Sequence, residues 1–197
     1  MNSTISRRAF MASGAVTLAF WSNPVFAFSE AKAAKLIGNA VDDINNIINS
    51  GGSEASMLKR FEGIFSKYAD GKRIGQLVLG PASRAASPAQ RKLFASTFQT
   101  YISRKYGRRF REFIGGRIEI KNTKAVKSFY EVSATAILAG EAPFELQFVV
   151  ADQNGKFIDI KIEGISLIKA ERAEIGAMLD KRKGDVDLLI ADLNKIG

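Results

Sequence analysis

The side chains that could carry chemistry are a pair of carboxylates, one serine and a run of cations. Asp159 and Glu163 stand four residues apart in a segment of alternating polarity. On one extended strand that spacing separates them by about 13 Å at 3.3 Å per residue. Glycoside hydrolysis needs its two carboxyls about 5–9.5 Å apart, so the pair suits that reaction poorly. Ser166 lies in Gly164-Ile165-Ser166-Leu167, which is not a nucleophile elbow. The chain has no histidine and no cysteine. Zinc sites built on those residues, haem and iron–sulfur ligation, Ser-His-Asp triads and Cys-His pairs all disappear together. Neither a phosphate-cradling loop nor a dinucleotide fingerprint occurs. These residues point to a protein with no catalytic centre, no metal and no cofactor.

The densest cationic run is Ser103-Arg104-Lys105-Tyr106-Gly107-Arg108-Arg109-Phe110-Arg111, in a chain of net charge +9. Two readings stay open. Arg104, Lys105, Arg108 and Arg109 could form a rim facing anionic headgroups or an acidic docking partner. Equally, the rings could be buried and the cations merely solvated on a helix face.

The chain begins in the manner of an export signal. Arg7-Arg8 precede an apolar run from Ala9 to Trp21, and Val25 and Ala27 are the small residues of a cleavage pattern. The run is shorter than the ~20 residues a membrane span requires. Ser6-Arg7-Arg8-Ala9-Phe10-Met11 matches the twin-arginine form, though paired arginines also occur in ordinary secretory signals. The expectation is a signal over residues 1–27 and one exported domain over 28–197. Export leaves nucleic acid the least suitable partner for the positive charge.

What must position any site is read from periodicity. Ala33, Leu36, Ile37, Ala40, Val41, Ile44, Ile47 and Ile48 form one helical stripe, ended by Ser50-Gly51-Gly52. A second helix is expected over about 54–68, and a short third one after Asp70, stopping at Gly80-Pro81. Ser87-Pro88 opens a long helix with Phe94, Phe98, Tyr101 and Ile102 on one face. Gly107 and Gly115-Gly116 bracket a further turn holding Phe110, Phe113 and Ile114. The period then falls to two. Inward sets are Ile118 and Ile120; Tyr130, Val132, Ala134, Ala136 and Leu138; Phe144, Leu146, Phe148 and Val150; and Ile158, Ile160 and Ile162. Asp152-Gln153-Asn154-Gly155 is a hairpin signal. Helices over roughly 169–180 and 185–193 close the chain. The fold class is therefore α+β: a four-stranded antiparallel meander wrapped by helices from both ends of the chain. Apolar stripes alone do not tell a filled core from a hollow one, even with fourteen phenylalanines.

From Phe65 onward the residues resemble the MlaC family of periplasmic phospholipid-binding proteins, also called toluene-tolerance auxiliary proteins. The match runs through Tyr68-Ala69-Asp70, Ile74, Val78-Leu79-Gly80 and Ser87-Pro88-Ala89-Gln90-Arg91, then Phe94, Phe98 and Tyr106. It resumes at Asp159 and Glu163-Gly164-Ile165-Ser166-Leu167, with Arg172 beyond. Ala82-Ser83 and Gly155 depart from it, at places where the family tends to carry aromatics.

The resemblance implies a cavity for acyl chains between sheet and helices, with the headgroup at its mouth. It also implies a monomeric carrier that ferries phospholipid between an outer-membrane lipoprotein complex and an inner-membrane ABC transporter. Physics supplies the need, since exposing some thirty methylenes of a diacyl lipid costs on the order of 20 kcal/mol. The expected lining is Phe65, Leu77, Phe94, Phe98, Tyr101, Tyr106, Val132, Ala134, Leu146, Phe148 and Ile160. Small Ala134 and Ala136 would leave room above the sheet, and Glu163 to Ser166 would form a structural bend. The competing readings are a basic periplasmic adaptor with a solid core, and a hydrolase that uses carboxylates alone.

Overall fold

A computed structural model describes residues 28–107 and 114–196. The expected signal over 1–27 lies outside the described residues, as do Arg108, Arg109, Phe110, Arg111 and Phe113.

The helices start where polar caps permit. Helix α1 (Glu30–Ile48) follows Ser29, whose hydroxyl accepts from Lys32 N at 3.3 Å, and it buries Ala33, Ile37, Ala40, Val41, Ile47 and Ile48 on one stripe. Helix α2 (Glu54–Tyr68) is capped by Ser53, and α3 (Gly71–Leu79) by Asp70, which accepts from Arg73 N at 3.0 Å. A single exposed turn, α4 (Ala82–Ala85), follows Pro81; it has no apolar stripe from which it could have been expected. Helix α5 (Pro88–Gly107) opens on a reciprocal capping box: Gln90 N donates to Ser87 Oγ at 3.1 Å, and Ser87 N to Gln90 Oε1 at 2.9 Å.

Five antiparallel strands follow in sequence order: β1 (Arg117–Val126), β2 (Phe129–Ile137), β3 (Phe144–Ala151), β4 (Phe157–Ile162) and the two-residue β5 (Ile165–Ser166). The expected four-stranded meander thus gains a short fifth strand, paired Ile162 to Ile165 and Lys161 to Ser166. Glu163 (φ 49°) and Gly164 (φ 78°) form the tight turn between them, a two-residue link with both residues left-handed. Strand β1 runs on to Val126, well beyond the expected inward pair Ile118 and Ile120, after a register shift between Ile120 and Asn122. Its second half is polar, so no alternation betrayed it. Helix α6 (Leu167–Lys181) starts two residues earlier than expected because Ser166 caps it, accepting from Lys169 N at 3.1 Å. Asp185 caps α7 (Val186–Lys195).

One face of the sheet is dry. Val132, Ala134, Ala136, Leu146, Phe148 and Val150 are buried, with α1, α3 and α6 packed on the strands. The other face carries a polar ladder in which Lys161 Nζ meets Glu131 Oε1 at 2.9 Å and Gln147 Oε1 at 2.7 Å. The hydrogen bond from Lys161 holds the Glu131 carboxyl below its ordinary range, against a smaller opposing effect of burial. Helix α5 lies behind, packed on α2, α3 and α7.

The motif residues tie these layers together. Ala69 bridges Phe157 in parallel, and Asp70 N donates to Phe157 O at 2.9 Å. Asn154 of the β3–β4 turn donates to Asp70 Oδ2 at 2.7 Å. Gly80 ends α3 at φ 58°, ψ −129°, a conformation open essentially to glycine, and a Cβ there would lie 2.9 Å from Arg172 Nε. Gly80→Ala is accordingly expected to lower the unfolding free energy by about 1–3 kcal/mol. Urea titration of the two proteins measures it, and equal midpoints would contradict it.

A candidate apolar cleft between the helices and the sheet

Rings dominate the space between the sheet and the inner helices. Phe94 and Phe98 are one turn apart on α5 and stack at 5.6 Å between centroids, with Tyr101 6.0 Å from Phe98. On the opposite wall Phe65 of α2 meets Phe157 of β4 edge-on at 5.9 Å, and Phe148 of β3 meets Phe157 at 6.4 Å. Such offset and edge contacts add about 0.5–1.5 kcal/mol each beyond the area they bury.

Between these walls lies a narrow cleft of about 40 Å³, lined by Phe65, Phe98, Tyr106, Phe157, Ile160 and Ile168 among others. Its volume admits little more than one group the size of a water, which takes about 30 Å³. It is far too small for a hydrocarbon tail. Among the described residues, this cleft does not show the expected roomy cavity.

Four of the eleven expected lining residues reach the cleft: Phe65, Phe98, Tyr106 and Ile160. Phe94, Tyr101, Val132, Ala134, Leu146 and Phe148 are buried in the core around it. Leu77 does not join them. It stands 37% exposed on the outer side of α3, because the buried face of that helix is taken by Ile74, Val78 and Leu79. The sequence reading missed Phe157, Leu167 and Ile168, and set Ile158 inward without placing it in the lining. A register shift between Val149 and Val150 brings both Phe157 and Ile158 inside, which strict alternation forbids.

A polar cluster closes the cleft where α5 meets α6. Glu171 is buried at 2% exposure and lines the cleft. Its Oε1 accepts from Lys105 Nζ at 2.8 Å and from Tyr106 Oη at 2.6 Å, while its Oε2 has no partner among the described residues. Lys105 also pairs with Glu174, which accepts from Tyr101 Oη at 2.8 Å. Burial pulls the Lys105 ammonium down, but its hydrogen bonds to Glu171 and Glu174 outweigh that and raise it. Burial, with the Glu174 hydrogen bond, pushes Tyr101 up to about 12. Lys105 is thus an internal tie rather than a free rim cation. Arg104 is also engaged, donating to Asn194 O at 3.2 Å.

The tempting carboxylate pair is occupied structurally. Asp159 accepts from Ser166 Oγ at 2.6 Å and from Ile168 N at 3.1 Å, which fixes the start of α6 on the sheet. Glu163 sits in the β4–β5 turn. Among the described residues, no group of three or more acids could hold a metal ion, and no helix is long and apolar enough to cross a membrane.

The architecture has a solved counterpart. A phospholipid-binding protein from Ralstonia solanacearum, determined in complex with a phospholipid, superimposes with a TM-score of 0.72 at 24% identity, covering 83% of this chain and 95% of that one. At that identity the likeness concerns the fold. A protein family described as MlaC protein matches residues 38–195, from the middle of α1 to the end of α7. With that match spanning nearly every described element, the chain belongs to the MlaC family.

Proposed function

We propose that this protein is a periplasmic carrier that takes up phospholipid by its acyl chains and makes or breaks no bond. The observation that carries the reading is the membership of the MlaC family, supported by a mostly apolar, ring-lined cleft at the seam of helices and sheet. The phospholipid held by the Ralstonia protein of the same fold supports the ligand class. Loading requires the layers to part: α5 and α6 move off the sheet, and tails replace the ring-to-ring contacts that now fill the seam. Residues 1–27 direct export, and the carrier exchanges lipid with an outer-membrane lipoprotein complex and an inner-membrane ABC transporter. No cofactor takes part beyond the lipid cargo.

Mass spectrometry of organic extracts from the purified protein tests it, together with transfer of labelled lipid between vesicle populations. The expected result is co-purified phospholipid and protein-dependent transfer. Finding neither would overturn the carrier. The tight closure of the cleft favours one second reading, a basic adaptor with a solid core, which predicts that same negative outcome.

A further inference from the structure

A broad concavity lies on the other side of α3 and α5, away from the apolar cleft. It encloses about 850 Å³ between α3, α4 and α5. Lys72, Arg84, Arg91 and Lys92 line it, and among the described residues no carboxylate does. The side chains of Lys72, Arg84 and Lys92 have no hydrogen-bond or ion-pair partner among the described residues. Arg91 is different. Its Nη1 donates to Ser83 O at 3.1 Å and to Ala86 O at 2.6 Å, which fixes the guanidinium at the wall beside α4. The floor is small because the two helices nearly touch: a Cβ on Gly75 would sit 3.0 Å from Ala95 Cβ. Gln76, Ser96 and Gln99 supply neutral hydrogen-bonding groups along the walls.

We propose that this groove receives an acidic segment of a protein partner. Four like charges around one concavity repel each other, and a fitted anion relieves that repulsion while steering encounter. The shape selects a chain segment over a bilayer. A planar surface cannot enter a valley between helices, and the lining holds none of the large apolar or aromatic side chains that anchor a protein in the interface. The backbone of a helix or strand, with carboxylates on either side, suits a small floor and cationic walls. This docking role is independent of what the apolar cleft holds.

The test is fluorescence anisotropy of the full chain with a labelled peptide of alternating Glu, Ala and Leu. The same peptide with Lys for Glu is the control, and vesicles one-third in phosphatidylglycerol are a separate arm. Binding of the acidic peptide that weakens with added salt is expected. Lys72→Glu with Lys92→Glu should weaken it about ten-fold or more, while a double reversal outside the groove, Lys59→Glu with Lys195→Glu, should not. Lys72 and Lys92 are exposed, so the variant folds, and its unchanged phospholipid content separates this result from the carrier reading. Equal peptide affinity for both variants, or binding to vesicles without binding to the peptide, would overturn the proposal.

Discussion

Phe98→Ala is expected to destabilise the delipidated protein by about 3–5 kcal/mol, the range for deleting a large buried ring. Phe98 is 2% exposed, stacks between Phe94 and Tyr101, and lines the cleft. Removing it leaves a void that its neighbours, held on a capped helix, fill only in part. Under the carrier reading the penalty depends on cargo. Acyl methylenes entering the seam regain about 0.8 kcal/mol each as they are buried, so lipid-loaded protein should lose distinctly less. Urea titrations of loaded and stripped protein, wild type and variant, measure both quantities. Equal losses in the two states would make Phe98 packed core and not cavity wall.

Lys105→Ala should cost about 3 kcal/mol for a different reason. The Glu171 side chain is 3% exposed, and Lys105 is its charged partner. Truncating the lysine leaves a buried carboxylate with one tyrosine hydroxyl, and an uncompensated buried charge is far costlier than a lost surface pair. Replacing both residues together, Lys105→Met with Glu171→Leu, should restore most of the loss, since buried pairs often exchange for apolar packing with little penalty. A double-mutant cycle by urea unfolding measures the coupling. Additive losses would mean that the pair is not what ties α5 to α6.

The same cluster sets a pH window. Its hydrogen bond to Lys105 holds the Glu174 carboxyl below its ordinary range. Its contribution is therefore present above the ordinary carboxylate pKa and is lost as pH falls through the depressed value. Tyr101, raised to about 12, contributes fully below the ordinary tyrosine pKa of about 10 and loses that contribution as pH climbs through 12.

Local signals were legible because they are short-range. Asp70 and Ser87-Pro88 each mark a helix start through a bond spanning three residues. Period-two runs marked β2 and β3 with the correct inward faces, down to small Ala134 and Ala136. The hairpin at Asp152 to Gly155 closes as expected, with Gly155 left-handed at φ 59°. The ring of Phe28 lies against Gly155. Neither a slipped register nor a helix-to-helix ion pair has such a signal. Phe157 enters the cleft only through the shift at Val149, and Glu171 meets a lysine 66 residues away.

The amino-acid order alone therefore determined the α+β class, the succession of elements, which face of each is dry, and the residues that carry the family resemblance. Those follow from capping bonds and hydrophobic periodicity, which act over a few residues. Whether the dry faces meet was decided by tertiary packing, because side chains from elements far apart in the chain compete for the same space. That competition closed the seam to about 40 Å³, turned Leu77 outward and took Lys105 into an internal pair. It also gathered Lys72, Arg84, Arg91 and Lys92, scattered along the sequence, around one groove.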